Sequence, residues 1–242
     1  MSQLTTLILA AGKGTRMESE LPKVLHPCCG KAMVRHVIEA ATASGSDRII
    51  VIAGYKSEMV HAELGDSVLY AEQTEQLGTG HAVMCAADQL GDTGETLILC
   101  GDTPLVTADT LKMLCGKHRE AKNGVTVLSA VLEDAGSYGR IIRDAEGNFL
   151  RITEAKDCTE EEKLTREINS GMYLFDTAML KESLGKLDNN NAQGEYYLTD
   201  TIALIKEAGG RVDAVPVSDI TEIMGVNTKA QLAEAEKIMA SR

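Results

Sequence analysis

Apolar strand-like runs alternate with amphipathic helix-like segments through the first half of the chain. Strands are expected near residues 5–11, 48–53, 67–71, 95–100 and 124–131. Helices are expected near residues 31–44, 56–64, 79–90 and 107–121. This alternation indicates an α/β fold with a mostly parallel sheet covered by helices on both faces. Ligands bind beyond the carboxyl ends of such strands, so the loops after the first and fourth strands should carry functional residues.

The middle of the chain has a different character. Short strand-like pieces at 139–144, 148–154 and 168–175 are separated by turn signals such as Glu146-Gly147-Asn148. We expect them to form a small antiparallel insertion beside the main sheet. Further on, the pattern predicts helices near 177–184, 198–208 and 227–241, and a strand near 211–217.

Composition narrows the class of protein. The formal net charge of −12 argues against nucleic acid as a partner, because the overall field of the chain would repel it. No apolar run reaches the roughly 18 residues that span a bilayer, and no signal peptide is visible, so no membrane partner is expected. The six cysteines form no Cys-x-x-Cys pair, which favours reduced thiols and a cytoplasmic location.

A glycine-rich loop follows the first predicted strand. Residues Leu9–Met17 read Leu-Ala-Ala-Gly-Lys-Gly-Thr-Arg-Met, and Pro22-Lys23 follow shortly after. Glycines let backbone N–H groups approach phosphate oxygens, while Lys13, Arg16 and Lys23 offset phosphate charge. The spacing fits neither the Walker loop nor the Gly-x-Gly-x-x-Gly dinucleotide motif. On spacing alone, an ordinary strand-to-helix turn remains the alternative.

An acidic residue follows the fourth predicted strand. Gly101-Asp102 come directly after the apolar run Leu97-Ile98-Leu99-Cys100. A carboxylate at the carboxyl end of a buried strand is well placed to hold magnesium, which prefers oxygen ligands and substrate phosphates. The alternative is that Asp102 caps the helix that begins near Thr107, although five residues separate them.

Other polar groups lie beside the predicted strands. Gln73 and the run Gln76–Ala82 could present donors and acceptors to a base edge, or they could form a simple helix entry with Thr79 as its N-cap. Glu154 and Asn169 could bind sugar hydroxyls, although such residues more commonly lie at turns or strand edges. Taken singly, these signals are weak.

Together these residues resemble the sugar-1-phosphate nucleotidyltransferases, and most closely the uridyltransferase domain of the bifunctional enzyme that makes UDP-N-acetylglucosamine. The matching pieces occur in family order and cover nearly the whole chain. They are Leu9–Met17, Leu21–His26, Gln76–Ala82, Gly101–Leu105, Tyr138–Arg143, Glu154–Asp157, Glu167–Gly171, Asn191–Asp200 and Gly225–Asn227. One piece alone would be weak, whereas the ordered set is specific.

The resemblance implies a Rossmann-like nucleotide-diphospho-sugar transferase fold over residues 1–226, with a sugar-binding lobe at about 135–200 and a C-terminal helix at 227–242. It implies that UTP and N-acetylglucosamine 1-phosphate are the substrates, with Arg16 and Lys23 as catalytic cations on the triphosphate. The implied nucleotide-binding residues are Leu9, Ala10, Ala11, Gly12, Gln73, Gly78 and Thr79, and the implied substrate contacts include Gly14, Gly101, Asp102 and Asn227. The implied sugar-binding residues are Gly139, Glu154, Asn169, Tyr197 and Thr199.

The resemblance also implies an essential Mg²⁺ ion held by Asp102 and Asn227. Two features depart from the family pattern. Cys100 stands where some relatives have tyrosine, so a ligand contact there should come from the backbone or be lost. Hexapeptide repeats are absent, so we expect no left-handed β-helix acetyltransferase domain and no trimer built by it, which favours a monomer. A different nucleotide or sugar, or a non-catalytic nucleotide-binding module, remains the alternative.

Overall fold

A mixed nine-stranded sheet forms the framework of this computed structural model, which describes residues 3–191 and 193–242. A separate two-stranded sheet is formed by the short strands Pro27–Cys28 and Lys31–Ala32. The strands are β1 Leu4–Ala10, β2 Pro27–Cys28, β3 Lys31–Ala32, β4 Arg48–Ala53, β5 Leu69–Glu72, β6 Glu95–Cys100, β7 Val125–Val131, β8 Arg140–Arg143, β9 Phe149–Thr153, β10 Glu167–Asp176 and β11 Val212–Pro216. The α-helices are α1 Met33–Ser44, α2 Ser57–Leu64, α3 Thr79–Met84, α4 Ala108–Ala121, α5 Thr177–Leu184, α6 Asp200–Glu207 and α7 Lys229–Ser241.

The main path of the sheet runs in the order β11-β7-β10-β6-β1-β4-β5. Strand β10 is antiparallel to both of its neighbours on this path, whereas the other paired strands along it are parallel. The β8–β9 hairpin attaches to β10 and confirms a small antiparallel insertion. The prediction that 168–175 also belongs beside the main sheet is wrong, because this segment is a central strand between β6 and β7.

Helices cover both faces of the sheet, as predicted. Side chains alternate along each strand, so neighbouring residues enter opposite cores. Leu7 packs in the core that includes α3, α5 and α6, while its neighbour Ile8 packs in the core that includes α1, α2 and α4. In the same way, Ile98 packs in the core with Leu7, and its neighbour Leu99 packs in the core with Ile8. Because the strands are buried on both faces, they appear in the sequence as nearly continuous apolar runs.

Hydroxyl and carboxylate caps fix the starts of three helices. Thr107 accepts a hydrogen bond from the backbone N–H of Thr110 at the start of α4. Asp176 and Thr228 cap α5 and α7 in the same manner. Each cap satisfies a backbone donor that the first turn of a helix leaves without a partner. The predicted helix at 79–90 is shorter than expected, since α3 ends at Met84 and a short 3₁₀-helix covers 87–89.

The C-terminal helix packs against the end of the sheet that carries the loop after β6. A small apolar core joins α7 to Cys28, Met33, Leu105 and Val226, with Ala235 fully buried in it. The helix therefore fixes the chain just after Val226 in place. No helix among the described residues is both long and apolar enough to cross a membrane.

Candidate functional site

A cleft of about 350 Å³ opens at the carboxyl ends of β1 and β6. All seven residues implied for nucleotide binding line it. The lining consists of Leu9, Ala10, Ala11, Gly12, Lys23, Val24, Gln73, Gln76, Gly78, Thr79, Ala82, Cys100, Asp102 and Glu195. The cleft thus lies at the edge of the sheet where the alternation of strands and helices predicts a ligand site.

The glycine-rich loop is held in one conformation by its own packing. Gly14 has a φ of +66°, and a Cβ atom at this position would lie 2.5 Å from the Cβ atom of Lys23. Such an approach requires glycine. The fully buried side chain of Met17 anchors the 3₁₀ turn at 15–17, and a second 3₁₀ turn begins at Lys23. The loop therefore carries Arg16 and Lys23 on two fixed turns.

Two cations and two oxygen-bearing side chains meet beside this loop. The ammonium of Lys23 contacts Oδ2 of Asp102 and donates to Oδ1 of Asn227 at 2.9 Å. Arg16 donates to the same Asn227 oxygen, also at 2.9 Å. We call Arg16, Lys23, Asp102 and Asn227 the charged cluster. The structure thus brings together the predicted catalytic cations and the predicted magnesium ligands.

Backbone hydrogen bonds position the two oxygen-bearing residues of the charged cluster. The N–H of Gly101 donates to the carbonyl of Leu9 at 2.9 Å, which joins the end of β6 to the end of β1. The N–H of Val226 donates to the carbonyl of Asp102 at 2.8 Å, which holds the Asn227 segment against the Asp102 loop. The alternative of Asp102 as a helix cap is wrong, because the Thr107 side chain caps α4.

Gln73 supports the wall of the cleft. Gln73 as a whole residue is 3% exposed, and its Nε2 atom donates to the carbonyl of Gly78 at 3.0 Å. Gly78 has a φ of +109°, and a Cβ atom there would lie 2.6 Å from the carbonyl oxygen of Tyr196. The amide of Gln73 therefore holds the Gly78 turn, and recognition of a base by this side chain remains a prediction.

Thr79 links α3 to the segment before α6. Its hydroxyl accepts a hydrogen bond from the N–H of Leu198 at 3.2 Å. Gly78 occupies the N-cap position of α3, which has no side-chain cap, so the alternative of Thr79 as an N-cap is wrong. The contact places residues 195–198 against the cleft.

Four of the residues implied for sugar binding form one connected group. The N–H of Asn169 donates to the carbonyl of Gly139 at 2.9 Å. The hydroxyl of Thr199 donates to Oε1 of Glu154 at 3.0 Å. A Cβ atom on Gly139 would lie 3.4 Å from Oε2 of Glu154, which places the two pairs side by side. Burial raises the pKa of Glu154, with a smaller contribution from nearby Asp157, and the Thr199 hydrogen bond opposes this shift.

Tyr197 lies in a second cavity, of about 440 Å³, together with Glu154 and Thr199. Its hydroxyl accepts a hydrogen bond from Nε2 of Gln193 at 2.8 Å. Cys100 lines the cleft, and its thiol donates to the carbonyl of Gly171 at 3.4 Å. Burial raises the pKa of Cys100 to about 12, so the thiol stays protonated and acts as a donor at neutral pH.

The sequence did not single out Glu195 or Gln231 as functional residues. Glu195 lines the cleft, but in the sequence it stands only inside the matching piece Asn191–Asp200. Gln231 lies on α7, and its Oε1 accepts a hydrogen bond from the N–H of Asn227 at 2.8 Å. In the sequence, the only signal that Gln231 could hold Asn227 is its position four residues later, on the first turn of a predicted helix.

A glycine-rich loop, a charged cluster and a cleft at the carboxyl ends of the sheet strands are typical of a nucleotide-handling α/β protein. The family model described as "Nucleotidyl transferase" matches residues 5–224. The chain belongs to the nucleotidyl transferase family.

Curated relatives are similar over the whole chain. It is 53% identical over 242 residues to the "Bifunctional protein GlmU" of Caldanaerobacter subterraneus subsp. tengcongensis, covering 100% of this chain and 53% of the relative. It is 54% identical over 242 residues to the protein of the same name from Thermoanaerobacter pseudethanolicus, again covering 100% of this chain and 53% of the relative. The chain thus spans about half the length of the curated relatives it matches.

A solved structure supports the fold. A proposed glucose-1-phosphate thymidylyltransferase from Bacillus anthracis, crystallised in complex with a sucrose, superimposes with a TM-score of 0.78 at 20% sequence identity. The similarity covers 97% of this chain and 94% of that one. At this level of identity it shows the shared nucleotide-diphospho-sugar transferase architecture, and the predicted fold class is confirmed.

Proposed function

We propose that this protein is a magnesium-dependent uridyltransferase. It transfers UMP from UTP to N-acetylglucosamine 1-phosphate and yields UDP-N-acetylglucosamine and pyrophosphate. The UDP-N-acetylglucosamine serves as a precursor of the cell envelope. The observation that carries the proposal is the charged cluster beside the cleft lined by Gln73 and Gly78. The similarity of this whole chain to about half the length of proteins named GlmU supports this choice of substrates within the family.

The chemistry needs positioning and charge stabilisation more than proton transfer. An oxygen of the sugar phosphate attacks the α-phosphorus of UTP in line, the new P–O bond forms, and the bond to pyrophosphate breaks. Because the nucleophile is already an anion, no general base is required. The protein must instead bring two anions together and stabilise the charge that develops on the leaving pyrophosphate. Arg16, on the glycine-rich loop, and Lys23, on the 3₁₀ turn that follows it, are suited to that task.

The oxygen pair of Asp102 and Asn227 fits a divalent cation. Both side chains hold one cation in the structure, since the Lys23 ammonium contacts an oxygen of each. Magnesium commonly takes one or two protein oxygens and completes its shell with substrate phosphates and water. When bound, it would supply additional positive charge against the phosphates. Among the described residues, no group of three or more His, Cys, Asp or Glu side chains is arranged to hold a metal ion, so the two-ligand site is the candidate.

The group around Glu154 is the proposed sugar site. Glu154, Asn169 and Thr199 offer carboxylate, amide and hydroxyl groups suited to the hydroxyls of a sugar. Gly139 lies directly beside these groups, since a Cβ atom there would be 3.4 Å from Oε2 of Glu154. The sugar-binding lobe at about 135–200, a cytoplasmic location and a monomeric state remain predictions that accompany this proposal.

A pyrophosphate-release assay on the purified chain tests the proposal. Each nucleoside triphosphate is paired with several sugar 1-phosphates, with and without Mg²⁺, and we expect the fastest release with UTP and N-acetylglucosamine 1-phosphate. Asp102→Ala should lower the rate by at least about a hundredfold, as expected for removal of a group that positions charge at a reacting centre. Asp109→Ala is the matched control, because Asp109 is an exposed carboxylate on α4, and it should leave the rate unchanged.

Two results would contradict the proposal. Equal or faster release with another nucleotide or sugar phosphate would reject this specificity while keeping the reaction class. Binding of UTP with no magnesium-dependent release of pyrophosphate would identify a non-catalytic nucleotide-binding module instead.

A further inference from the structure

The Lys23 ammonium lies against the same two oxygens that a divalent cation would use. It contacts Oδ2 of Asp102, and it donates to Oδ1 of Asn227 at 2.9 Å. The side chains of Lys23 and Asp102 are only 16% and 17% exposed, so solvent and salt screen this ion pair weakly. The carboxylate that should attract a metal is therefore already neutralised by a cation of the protein itself.

The position of Lys23 is enforced by its surroundings. The side chain begins at a backbone turn fixed by Pro22, and its Cβ atom packs tightly against Gly14. Arg16 brings a second positive charge to Asn227 at 2.9 Å. A divalent ion that entered this arrangement would lie a few ångströms from two cations, and the repulsion would weaken its binding.

We propose that Lys23 is the resident counter-cation of Asp102 and Asn227, and that it competes with the divalent ion for their oxygens. A bound triphosphate offers the Lys23 ammonium a better anionic partner, because the phosphate oxygens carry several negative charges. Movement of the ammonium towards those phosphates frees both side chains for the metal. The metal and the nucleotide then bind with positive coupling, and each raises the affinity for the other by the same factor.

This inference rests on the proposed function for the identity of the polyanion, but the competition itself can be tested without any substrate. The probe is Mn²⁺ alone, and its free concentration is measured by electron paramagnetic resonance during titration of the full chain. Lys23→Met keeps the unbranched stem that packs against Gly14 and removes the charge. We expect this variant to bind Mn²⁺ about tenfold more tightly than the wild-type chain, a change within the usual range for coupled sites.

Two matched variants separate competition from a general loss of positive charge. Lys23→Arg keeps a cation at the same position and should bind Mn²⁺ as weakly as the wild-type chain. Lys13→Met removes a charge from the same loop, but the Lys13 ammonium lies over the Tyr55 ring, 5.4 Å from its centroid, and outside the charged cluster. It should change the Mn²⁺ affinity by less than about twofold, because exposed charges interact weakly through solvent.

If Lys23→Met raises the Mn²⁺ affinity by less than about threefold, the competition is overturned, since the expected coupling is larger. It is also overturned if Lys13→Met raises the Mn²⁺ affinity as much as Lys23→Met does. If Lys23→Met does not fold, as judged by circular dichroism, Lys23→Gln takes its place with the same criteria. Failure of the proposed function would appear separately, as absent pyrophosphate release by the wild-type chain. The metal titration contains no nucleotide or sugar phosphate, so the two failures cannot be confused.

Discussion

Glu154 and Glu162 line the same cavity, but their carboxyl groups have opposite environments. Burial raises the pKa of Glu154 above its ordinary value of 4.5, because a buried carboxylate loses hydration and lies near other acidic groups. The pKa of Glu162 is lowered to about 2, chiefly by the hydrogen bond from the N–H of Thr159 and by Arg151. One carboxyl is therefore costly to ionise in the folded state, while the other is stabilised by its donors.

The free energy of unfolding of the Glu154→Gln variant, relative to that of the wild-type chain, should increase as the pH rises. The folded state binds the Glu154 proton more tightly than the unfolded state does, so the wild-type chain loses stability as the pH rises from the ordinary value of 4.5 through the raised pKa. Glutamine does not titrate and can still accept the Thr199 hydrogen bond. Urea unfolding of both proteins between about pH 4 and pH 8 checks this expectation.

Glu162→Gln is the matched control and should behave in the opposite way. A lowered pKa stabilises the folded state above the ordinary value of 4.5, and this contribution is lost as the pH falls towards about 2. The variant should therefore be less stable than wild type at neutral pH, and urea unfolding extended from about pH 4 towards pH 2 should show this difference shrinking. The same trend in both variants would show that the two carboxyls do not differ in environment.

At this scale, sequence reasoning identified residues whose chemistry follows from position along a strand or loop. Lys23 and Asp102 belong to this kind, since each follows a recognisable motif at the end of a strand. Glu195 does not, because it reaches the cleft only through the packing of residues 195–198 against Gly78, more than a hundred positions away in sequence. Such contacts depend on tertiary packing, which no local spacing encodes.

At the scale of elements, the glycine-rich loop shows how backbone conformation determines where the cations lie. Gly12 and Gly14 both belong to the loop, but they differ in their surroundings. A Cβ atom on Gly12 would meet nothing within 4 Å, whereas one on Gly14 would overlap Lys23. Only Gly14 also has a left-handed backbone conformation, with a φ of +66°.

Gly14→Ala should therefore destabilise the chain, while Gly12→Ala should not. The expected loss for Gly14→Ala is about 1–3 kcal/mol of unfolding free energy, from backbone strain and the clash with Lys23. Gly12→Ala should stay within about 0.5 kcal/mol of wild type, as exposed positions generally do. Thermal and urea unfolding measure both. Equal stability of the two variants would contradict the assigned role of the Gly14 conformation.

The elements themselves were largely predictable, because strands buried on both faces and amphipathic helices have distinct sequence patterns. Strands β4 and β6 and helix α5 have the predicted bounds. Strand β10 was predicted as a strand but assigned to the wrong sheet position, because periodicity does not specify which strands pair. Its run Met172–Phe175 is fully or almost fully buried, as expected of a central strand rather than an edge hairpin.

At the scale of the whole molecule, the charged cluster joins parts of the chain that are far apart in sequence. Lys23 and Asn227 are separated by 204 positions, and Lys23 and Asp102 by 79. The Asn227 segment is held by the backbone bond from Val226 to Asp102, by Gln231, and by the apolar contacts of α7. The packing of one terminal helix thus determines whether Asn227 lies in the cluster.

Ala235→Asp should separate the effects of α7 docking from those of sheet stability. Ala235 is fully buried between α7 and the core around Leu105, so a carboxylate there would be unpaired and would push the helix away. Displacement of Asn227 by about an ångström is enough to lower the rate of pyrophosphate release by roughly 10- to 100-fold. The two main cores lie on the faces of the sheet, away from this contact, so the unfolding transition of the sheet should persist.

Ala233→Asp provides the control, because it introduces the same charge on the same helix at an exposed position. It should keep the wild-type rate of pyrophosphate release. Mn²⁺ titration gives a readout that does not depend on turnover, and Ala235→Asp should bind the ion more weakly than Ala233→Asp because the Asn227 oxygen is misplaced. If the two variants have equal rates and equal Mn²⁺ affinities, docking of α7 does not position Asn227, and the bond from Val226 to Asp102 must hold this segment without the helix.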